Sequence, residues 1–227
     1  MRLIALLPIG MSLVASASAA PPGRPVVVEL FQSQGCSSCP PADAVLNALA
    51  DRSDVIALNF AVTYWDQLGW KDTFAQPAYT ARQWDYAHAG GRGNVSTPQM
   101  IVNGRTAIVG NRQADVDGII AGARINATEV PITVNGPTVA LPATRTAKPA
   151  TLWLVRYDPR TIQVAIRAGE NGGRTIPHRN IVRDLFSLGR WNGEAKSFKL
   201  PAGVAGLEGA LLLQVGRGGP IVASARV

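Results

Sequence analysis

Two cysteines separated by two serines are the residues of this sequence best suited to chemistry. Cys36 and Cys39 are the only cysteines in the chain. A disulfide stabilises a protein more as the loop that it closes becomes longer, so a bond across two intervening residues contributes little. Exported proteins commonly use disulfides as structural cross-links. We therefore interpret this short-range pair as a reactive centre rather than as reinforcement.

The expected chemistry is thiol-disulfide exchange, in which a thiolate attacks a disulfide sulfur. A position at the start of a helix can lower a cysteine pKa from about 8.5 to roughly 3.5 in extreme cases. In such motifs the first cysteine attacks and the second resolves the mixed disulfide, so we assign these roles to Cys36 and Cys39. Pro40 and Pro41 fit only in the first helical turn. The helix is therefore expected to begin at Cys39 and to leave Cys36 in the preceding loop, where the dipole acts on it less strongly.

A second group of candidate residues follows the second predicted strand. In an open α/β sheet, ligands collect at the carboxyl ends of the strands, and the cysteine loop is expected at that same edge. Tyr64, Trp65, Asp66 and Trp70 are therefore possible supporting residues. Asp66 could accept the proton of Cys39, and the tryptophans could line a docking surface. The alternative is that the aromatic rings cover the sheet and that Asp66 caps a turn.

The two histidines leave a second function open. A copper or zinc handling protein would bind the metal through both thiolates, with a third ligand from His88, from His178 or from a partner protein. A third interpretation is a non-catalytic interaction module with an inert disulfide. The leading interpretation predicts no metal and no cofactor, and protein thiols or disulfides as partners. No phosphate-binding loop, dinucleotide fingerprint, Ser-His-Asp arrangement or zinc-protease signature is present.

The start of the chain has the three parts of a secretory signal peptide. Arg2 precedes an apolar run, Leu3–Val14, and small residues follow. We predict a signal peptide over residues 1–19 and a periplasmic or secreted mature protein without a stable membrane span. An uncleaved, membrane-tethered form is the alternative. The chain has a net charge of +7, but its basic residues are scattered and no nucleic-acid motif appears, so nucleic acid is not an expected partner. The oligomeric state stays open.

Strand-like and helical patterns alternate in the first half of the mature chain. Short β-branched runs indicate buried strands, and apolar residues at helical spacing indicate amphipathic helices. The pattern predicts strand Val26–Phe31, a helix after the cysteines, strand Val55–Val62, helix Pro77–Ala89, a hairpin that turns at Asn103-Gly104, and helix Arg112–Asn126.

This order, β-α-β-α, a proline, then β-β-α, is the order of the thioredoxin fold. We therefore predict a thioredoxin-like α/β domain over residues 25–128. Its proline, Pro98, is expected to follow a cis peptide bond, although only about one in twenty such bonds is cis. A cis bond there would present the backbone of Thr97 for substrate docking. The alternative is a trans proline at the start of an edge strand.

The second half has a different pattern of residues. Prolines and glycines punctuate the sequence after Pro131, and every second residue is apolar in Thr161–Arg167. Ala210–Val215 and Ile221–Val227 are further strand candidates, whereas the segment from His178 to Leu188 fits either a strand or a helix. We predict a small antiparallel β-sandwich-like domain over residues 129–227, with a turn at Glu170-Asn171-Gly172-Gly173.

The sequence also resembles a family of secreted bacterial proteins catalogued as domain of unknown function 1223 and placed among thioredoxin-like proteins. The resemblance implies the same fold and compartment. One departure concerns the strand before Tyr64, which ends His-Val-Asp in the family pattern and Ala61-Val62-Thr63 here, so a metal or acid-base role for that histidine is not expected in this protein. The matching segments are Glu29–Asp43, Tyr64–Asp72, Thr80, Arg82, Gln83, Tyr86, Thr97–Gly104 and Glu170–Leu185.

Overall fold

One eight-stranded mixed sheet runs through both halves of the protein. The computed structural model describes residues 24–125, 130–146 and 148–227. The predicted signal peptide, residues 1–19, lies outside the described residues. Two further antiparallel sheets, of three and two strands, complete the fold.

The first half contains the predicted alternation of strands and helices. None of its described helices, nor any other in the described part of the chain, is long and apolar enough to cross a membrane. The elements are β1 (Val26–Gln32), α1 (Pro40–Leu49), β2 (Val55–Ala61), α2 (Pro77–Ala89), β3 (Gln99–Val102), β4 (Thr106–Ile108) and α3 (Gln113–Ile125).

The second half is built from strands, but it does not form the separate sandwich that the sequence predicts. Four of its strands continue the central sheet, because one of them adds to the edge of β2: β7 (Ala150–Asp158), β10 (Ile181–Trp191), which pairs with β2, β12 (Glu208–Val215) and β13 (Ile221–Arg226). The ambiguous segment after His178 is extended. The elements are β5 (Thr133–Asn135), β6 (Thr138–Leu141), β7 (Ala150–Asp158), β8 (Ile162–Ala165), β9 (Thr175–His178), β10 (Ile181–Trp191), β11 (Lys196–Lys199), β12 (Glu208–Val215) and β13 (Ile221–Arg226).

The strand order of the central sheet is β13-β12-β7-β10-β2-β1-β3-β4. β1 and β2 are parallel, as the predicted β-α-β unit requires, and β3 is antiparallel to β1. The junction between the halves is short. Ile181 of β10 pairs with Asn59 of β2, and the Asn180 side chain donates to the Ala57 carbonyl at 2.8 Å. The predicted boundary between residues 128 and 129 stays a prediction, since the central sheet includes strands from both sides of it.

The alternation of side chains along β1 divides the core into two layers. Val27 and Phe31 pack on the side of α2, with Tyr79 of that helix. Val28 and Leu30 pack on the opposite side, with α1 and α3. Full burial of each such side chain contributes roughly 1.5–3 kcal/mol. A third apolar cluster around Trp191 lies entirely in the second half. The two layers hold the end of β1, and so the cysteine loop, in place.

Candidate functional site

The cysteine pair lies in the loop between β1 and α1. Cys36 and Cys39 form a disulfide with a Cα–Cα distance of 5.4 Å. Cys39 is the N-cap of α1, and the two following prolines occupy the first turn. Cys36 therefore precedes the helix, as predicted. Its backbone N–H donates to the Ser33 carbonyl at 3.0 Å, and its carbonyl accepts from the Cys39 N–H at 3.1 Å.

The Thr97-Pro98 peptide bond is cis, which confirms the predicted isomer. Gln99, the next residue, pairs with Phe31 across the β3–β1 ladder. The cis bond consequently lies beside the residues that lead from β1 into the cysteine loop. Thr97 is half-buried and Pro98 is buried. The docking role of these two residues stays a prediction.

Both cysteines are closed off from solvent. Cys36 and Cys39 are 0% exposed, whereas Ser37 and Ser38 between them are exposed. The Ser38 hydroxyl lies 3.3 Å from the Cys36 sulfur. A disulfide sulfur has no proton to give, so in this state Ser38 is the donor. A nucleophile at position 36 would need its surroundings to open before it could reach a second molecule.

A turn from the second half, residues 168–174, here called the cap turn, is hydrogen-bonded to the loop around Cys36. The Asn171 side-chain amide donates to the carbonyls of Cys36 at 2.8 Å and of Gln34 at 2.9 Å. The Glu170 carboxylate accepts from the Ser37 hydroxyl at 2.7 Å and from the Ser37 N–H at 3.1 Å. These hydrogen bonds lower the pKa of Glu170 below its ordinary value. The cap turn thus binds the backbone on both sides of Cys36.

Asn171 anchors this turn, and a glycine lets it approach. Asn171 is 0% exposed, and Arg174 donates to its side-chain oxygen at 2.7 Å. Gly169 has a φ of +71°, and a Cβ there would lie 3.2 Å from the Cβ of Trp70. A larger residue at position 169 would therefore be strained and crowded. The sequence predicts the turn but not its position over the cysteines.

Two of the aromatic candidates, Trp65 and Trp70, lie beside the cysteine loop, and Tyr64 contacts α2. Trp70 Nε1 donates to the Gln34 side-chain oxygen at 2.9 Å, so Trp70 holds the residue two positions before Cys36. Tyr64 donates to Gln83 at 3.2 Å, and burial raises the pKa of Tyr64 to about 12. A Cβ at Gly35 would lie 3.9 Å from the Cβ of Trp65. Their role in docking a substrate stays a prediction.

Asp66 makes the contact expected of a turn-capping residue. Its carboxylate accepts from the Asp72 N–H at 3.0 Å, which stabilises the segment between β2 and α2. Asp72 in turn accepts from the Gln34 N–H at 2.7 Å. Burial raises the pKa of Asp72 to about 6. Asp66 therefore holds Asp72, and Asp72 holds Gln34 of the cysteine loop. This arrangement favours the capping alternative for Asp66.

A buried polar group includes Asp43 of α1, one helical turn after Cys39. It is here called the histidine cluster and consists of Gln32, Asp43, Asn59 and His178. His178 Nδ1 lies 3.3 Å from Asp43 Oδ1, which also accepts from Asn59 at 3.2 Å. Gln32 donates to Asn59 at 3.0 Å. Burial alone would lower the pKa of His178, but the charges of Asp43 and Asp72 outweigh burial and raise it above its ordinary value.

The histidines do not complete a metal site with the cysteines. His178 belongs to the histidine cluster, and the ring of His88 lies 5.3 Å from that of Trp84. Among the described residues, no group of three or more His, Cys, Asp or Glu side chains is arranged to hold a metal ion. The metal-handling alternative would therefore depend on a ligand from elsewhere.

Three residues at this site were not predicted as participants: Asp43, Glu170 and Asn171. The sequence offered His178 only as a possible metal ligand, and Glu170-Asn171 only as part of a turn. The available signal was indirect, since the segments Glu29–Asp43 and Glu170–Leu185 both carry the family resemblance. That resemblance gave no indication that the two segments touch.

The family assignment follows from the sequence. A family model described as "Protein of unknown function (DUF1223)" matches residues 27–212. The chain belongs to the DUF1223 family. The match includes the cysteine loop, the cis proline, the cap turn and His178. Among the curated proteins, none matches this chain.

Two solved structures are similar to this DUF1223 protein. Protein AGR_C_4864 from Agrobacterium tumefaciens is 31% identical, with a TM-score of 0.76 over 92% of this chain and 96% of that one. HBP35 of Porphyromonas gingivalis is 15% identical, with a TM-score of 0.57 over 90% of this chain and 75% of that one. At that identity the second match bears on the fold alone, and it is a thioredoxin-like structural neighbour.

Proposed function

We propose that this protein is a periplasmic or secreted thiol-disulfide oxidoreductase in which Cys36 attacks and Cys39 resolves. The observation that carries the proposal is the closed Cys36–Cys39 pair at the start of α1, beside the cis Thr97-Pro98 bond. In the proposal the disulfide is a reversible two-electron group, and the segment at Thr97-Pro98 docks an extended peptide. The thioredoxin-like neighbour supports the fold on which the proposal relies.

The proposed reaction transfers two electrons to a substrate disulfide. In the reduced protein, the Cys36 thiolate attacks one substrate sulfur, and the other leaves as a thiolate. Cys39, once deprotonated, attacks the Cys36 sulfur, which breaks the mixed disulfide and releases the second substrate thiolate. The protein ends as the Cys36–Cys39 disulfide, and a dithiol reductant would restore it. The same steps in reverse oxidise a substrate dithiol.

The short loop that the disulfide closes gives little support to a purely structural role. The bond closes a loop with a sequence separation of 3. On the chain-entropy scale such a bond stabilises the fold by about 2 kcal/mol, against about 4.7 kcal/mol for a loop of roughly 100 residues. The Ser38 hydroxyl at 3.3 Å from the Cys36 sulfur would instead stabilise a thiolate, since hydrogen bonds to charged groups are the stronger ones.

Access to Cys36 requires movement of the cap turn. In the closed form, Asn171 binds the Cys36 carbonyl and Glu170 binds Ser37. The Glu170 carboxylate places a negative charge beside the cysteine loop, which disfavours a thiolate at Cys36. Movement of the cap turn would expose the Cys36 sulfur and would at the same time take the Glu170 charge away from it. Partner thiols or disulfides would then dock against the backbone of Thr97.

The proposed compartment follows from the N-terminal pattern and agrees with the chemistry. Disulfides form and persist in the periplasm and outside the cell, whereas the cytosol keeps thiols reduced. A mature protein beginning after residue 19 would meet oxidised partners there. Export is tested by the position of the mature N-terminus in protein recovered from the periplasm of the producing cell.

Equilibration of the mature protein in stepped glutathione or dithiothreitol buffers, followed by thiol trapping, tests the function. We expect a potential of roughly −120 to −270 mV. The Cys39→Ser variant should accumulate a mixed disulfide at Cys36, and the Cys36→Ser control should not. A potential below about −300 mV, with no alkylation of the native reduced protein, would identify an inert structural disulfide and overturn the proposal.

A further inference from the structure

The histidine cluster contains ionisable groups that the exchange reaction described above does not use. His178 is 0% exposed and Asp43 is 2% exposed. The Nε2 atom of His178 is buried and has no hydrogen-bond partner among the described residues. Leaving a buried polar atom unsatisfied costs about 1–3 kcal/mol. Such an atom in a folded protein calls for an explanation.

Asp43 lies one helical turn after the resolving cysteine. The Asp43 N–H donates to the Cys39 carbonyl at 3.0 Å, so these residues are one helical turn apart. Side chains four positions apart lie on the same helix face, with Cβ atoms about 5–6 Å from each other. Both side chains are buried. The carboxylate therefore lies on the face of α1 that carries the Cys39 sulfur, and Cys36 lies in the loop outside it.

Cys39 needs such a neighbour because its thiol is buried. Burial disfavours a thiolate and raises a thiol pKa above its ordinary value of about 8.5. The neighbouring strand residues Gln32 and Asn59 are amides, which cannot take up a proton. They instead hold Asp43 in place, since Asn59 donates to Asp43 and Gln32 donates to Asn59.

We propose that Asp43, held by His178, accepts the proton of the Cys39 thiol while the mixed disulfide is resolved. The inference rests on the proposed function. The Cys39 S–H bond breaks and its proton passes to the Asp43–His178 pair. The Cys39 sulfur then bonds to the Cys36 sulfur, the bond from Cys36 to the substrate sulfur breaks, and the substrate leaves with that electron pair as a thiolate. In the reverse reaction the pair returns the proton to Cys39.

The two members of the pair have different tasks. In the proposal Asp43, which shares a helix face with Cys39, takes the proton directly. His178 acts through Asp43 and is a positioning residue, whose unpartnered Nε2 leaves the imidazole free to share the proton. Because His178 ends β9, the second half of the chain completes the reactive centre of the first.

Few charged groups act on His178, so the pH profile of the resolving step can be interpreted. Asp43 acts on it from α1, and Asp72 acts on it from the segment between β2 and α2. Asp66 lies behind Asp72. Arg179, the next residue along the chain, is directed to Asp51 at 2.7 Å.

Stopped-flow reaction of the reduced mature protein with 5,5′-dithiobis(2-nitrobenzoate) separates the two steps. The first thionitrobenzoate leaves when Cys36 attacks, and the second leaves when Cys39 resolves. In the wild type, the second rate constant should change less than about tenfold between pH 6 and pH 8. In Asp43→Asn it should fall roughly a hundredfold at pH 6.5, the lower limit of a typical general-base contribution. In this variant the second rate constant should also rise tenfold for each increase of one pH unit.

The other variants define the roles. His178→Gln should slow the second step roughly tenfold at pH 6.5 and shift its pH profile, a readout that mere destabilisation would not produce. Asp43→Glu, which keeps a carboxylate, should retain the flat profile. Asp51→Asn is the matched control, because it lies in the exposed ion pair next to His178. The first step should change less than twofold in all four variants.

Each outcome separates the inference from the function. A wild-type protein that releases no thionitrobenzoate in either step would overturn the oxidoreductase function itself. A normal first step with a second step indifferent to Asp43→Asn and His178→Gln would overturn only the proton-acceptor role. If those variants fail to fold, the pH dependence of the second rate constant in the wild type tests the inference. A second rate that rises tenfold per pH unit from pH 6 to pH 8 would overturn the inference, and a flat one would support it.

Discussion

Each face of the central sheet buries a polar cluster, and the two clusters differ in how completely their atoms are bonded. On the α2 side lies the arginine cluster: Glu29, Arg82, Tyr86 and Gln214. Arg82 donates to Glu29 at 2.6 Å, to Gln214 at 3.0 Å and to the Tyr86 hydroxyl at 3.0 Å. Tyr86 also donates to Glu29. Every nitrogen of the guanidinium is therefore in use.

The histidine cluster on the α1 side is less complete. His178 Nε2 and Gln32 Oε1 are buried without hydrogen-bond partners among the described residues. The strand pattern explains the separation, because Glu29 lies on one face of β1 and Gln32 on the other. Both clusters join the two halves of the chain, since Gln214 belongs to β12 and His178 to β9.

The contrast indicates different roles for buried charge. All three guanidinium nitrogens of Arg82 are hydrogen-bonded, so this cluster is suited to fixing the position of α2 against the sheet. A cluster with an open imidazole nitrogen can gain or lose a proton without breaking its other contacts. The second cluster includes Asp43, one helical turn after Cys39, where the proposed reaction requires proton transfer.

Breaking the arginine cluster should have the largest effect. Arg82→Met would leave the Glu29 carboxylate buried and unpaired, which costs about 3–5 kcal/mol in free energy of unfolding. Urea denaturation measures the loss. Adding Glu29→Gln to the variant should recover part of it. The control is Arg217→Met, whose ion pair with Asp85 involves an 82% exposed arginine side chain, and it should cost less than about 1 kcal/mol. A loss this small for Arg82→Met would contradict the assigned role.

His178 of the histidine cluster and Asp72, whose charge acts on it, should make the free energy of unfolding depend on pH. The pKa of Asp72 is raised to about 6, so Asp72 binds a proton more tightly when folded, and its contribution is lost as pH rises from about 4 through 6. The pKa of His178 is raised above 6.5, so its contribution is present below 6.5 and lost as pH rises through the folded value. The free energy of unfolding should therefore decrease between pH 5 and pH 8.

Calorimetry at several pH values checks this second prediction. A change of about 1 kcal/mol moves Tm by roughly 2–4 °C in a chain of this size, and we expect Tm to fall by at least that amount. His178→Gln should flatten the upper part of the curve. Asp51→Asn should not, because its pKa is lowered from 3.8 and titrates below the window. A wild-type Tm that rises from pH 5 to pH 8 would show that the cluster is not protonated as the structure implies.

The sequence predicted the part of this site that depends on local order. The Cys36–Cys39 spacing, the following prolines and the alternation of strands and helices gave the cysteine loop, the start of α1 and the cis bond at Pro98. These features arise within a few residues or from one repeated pattern, so they can be recognised without knowing the packing.

Contacts between distant segments could not be predicted in the same way. Asn171 and Cys36 are 135 positions apart, as are His178 and Asp43. A side chain that donates to a distant carbonyl leaves no spacing in the sequence. Likewise, the sequence left the segment from His178 to Leu188 open between a strand and a helix, and the pairing of β10 with β2 depends on the free edge of a sheet formed elsewhere. The expected separate sandwich was wrong for that reason.

Loosening the cap turn should affect reactivity more than stability. Asn171→Ala removes the hydrogen bonds to the Cys36 and Gln34 carbonyls, a loss of about 1–3 kcal/mol. That loss corresponds to roughly a five- to 150-fold gain in the open form. We expect iodoacetamide to modify Cys36 of the reduced protein faster by a similar factor. Asn192→Ala, in an exposed turn of the same half, is the matched control and should react like the wild type. Equal rates in all three proteins would mean that the turn does not limit access.

Trp70→Phe should have the smallest effect of these variants on the cysteine loop. The change removes the 2.9 Å hydrogen bond from Nε1 to Gln34 but keeps a ring beside Gly169. Gln34 stays attached to Asp72 through its N–H, so the loss should be about 1 kcal/mol. Iodoacetamide modification of Cys36 should rise less than in Asn171→Ala. Trp84→Phe on α2, remote from the loop in sequence, serves as control. A larger increase for Trp70→Phe than for Asn171→Ala would mean that the tryptophan, and not the cap turn, holds Cys36 closed.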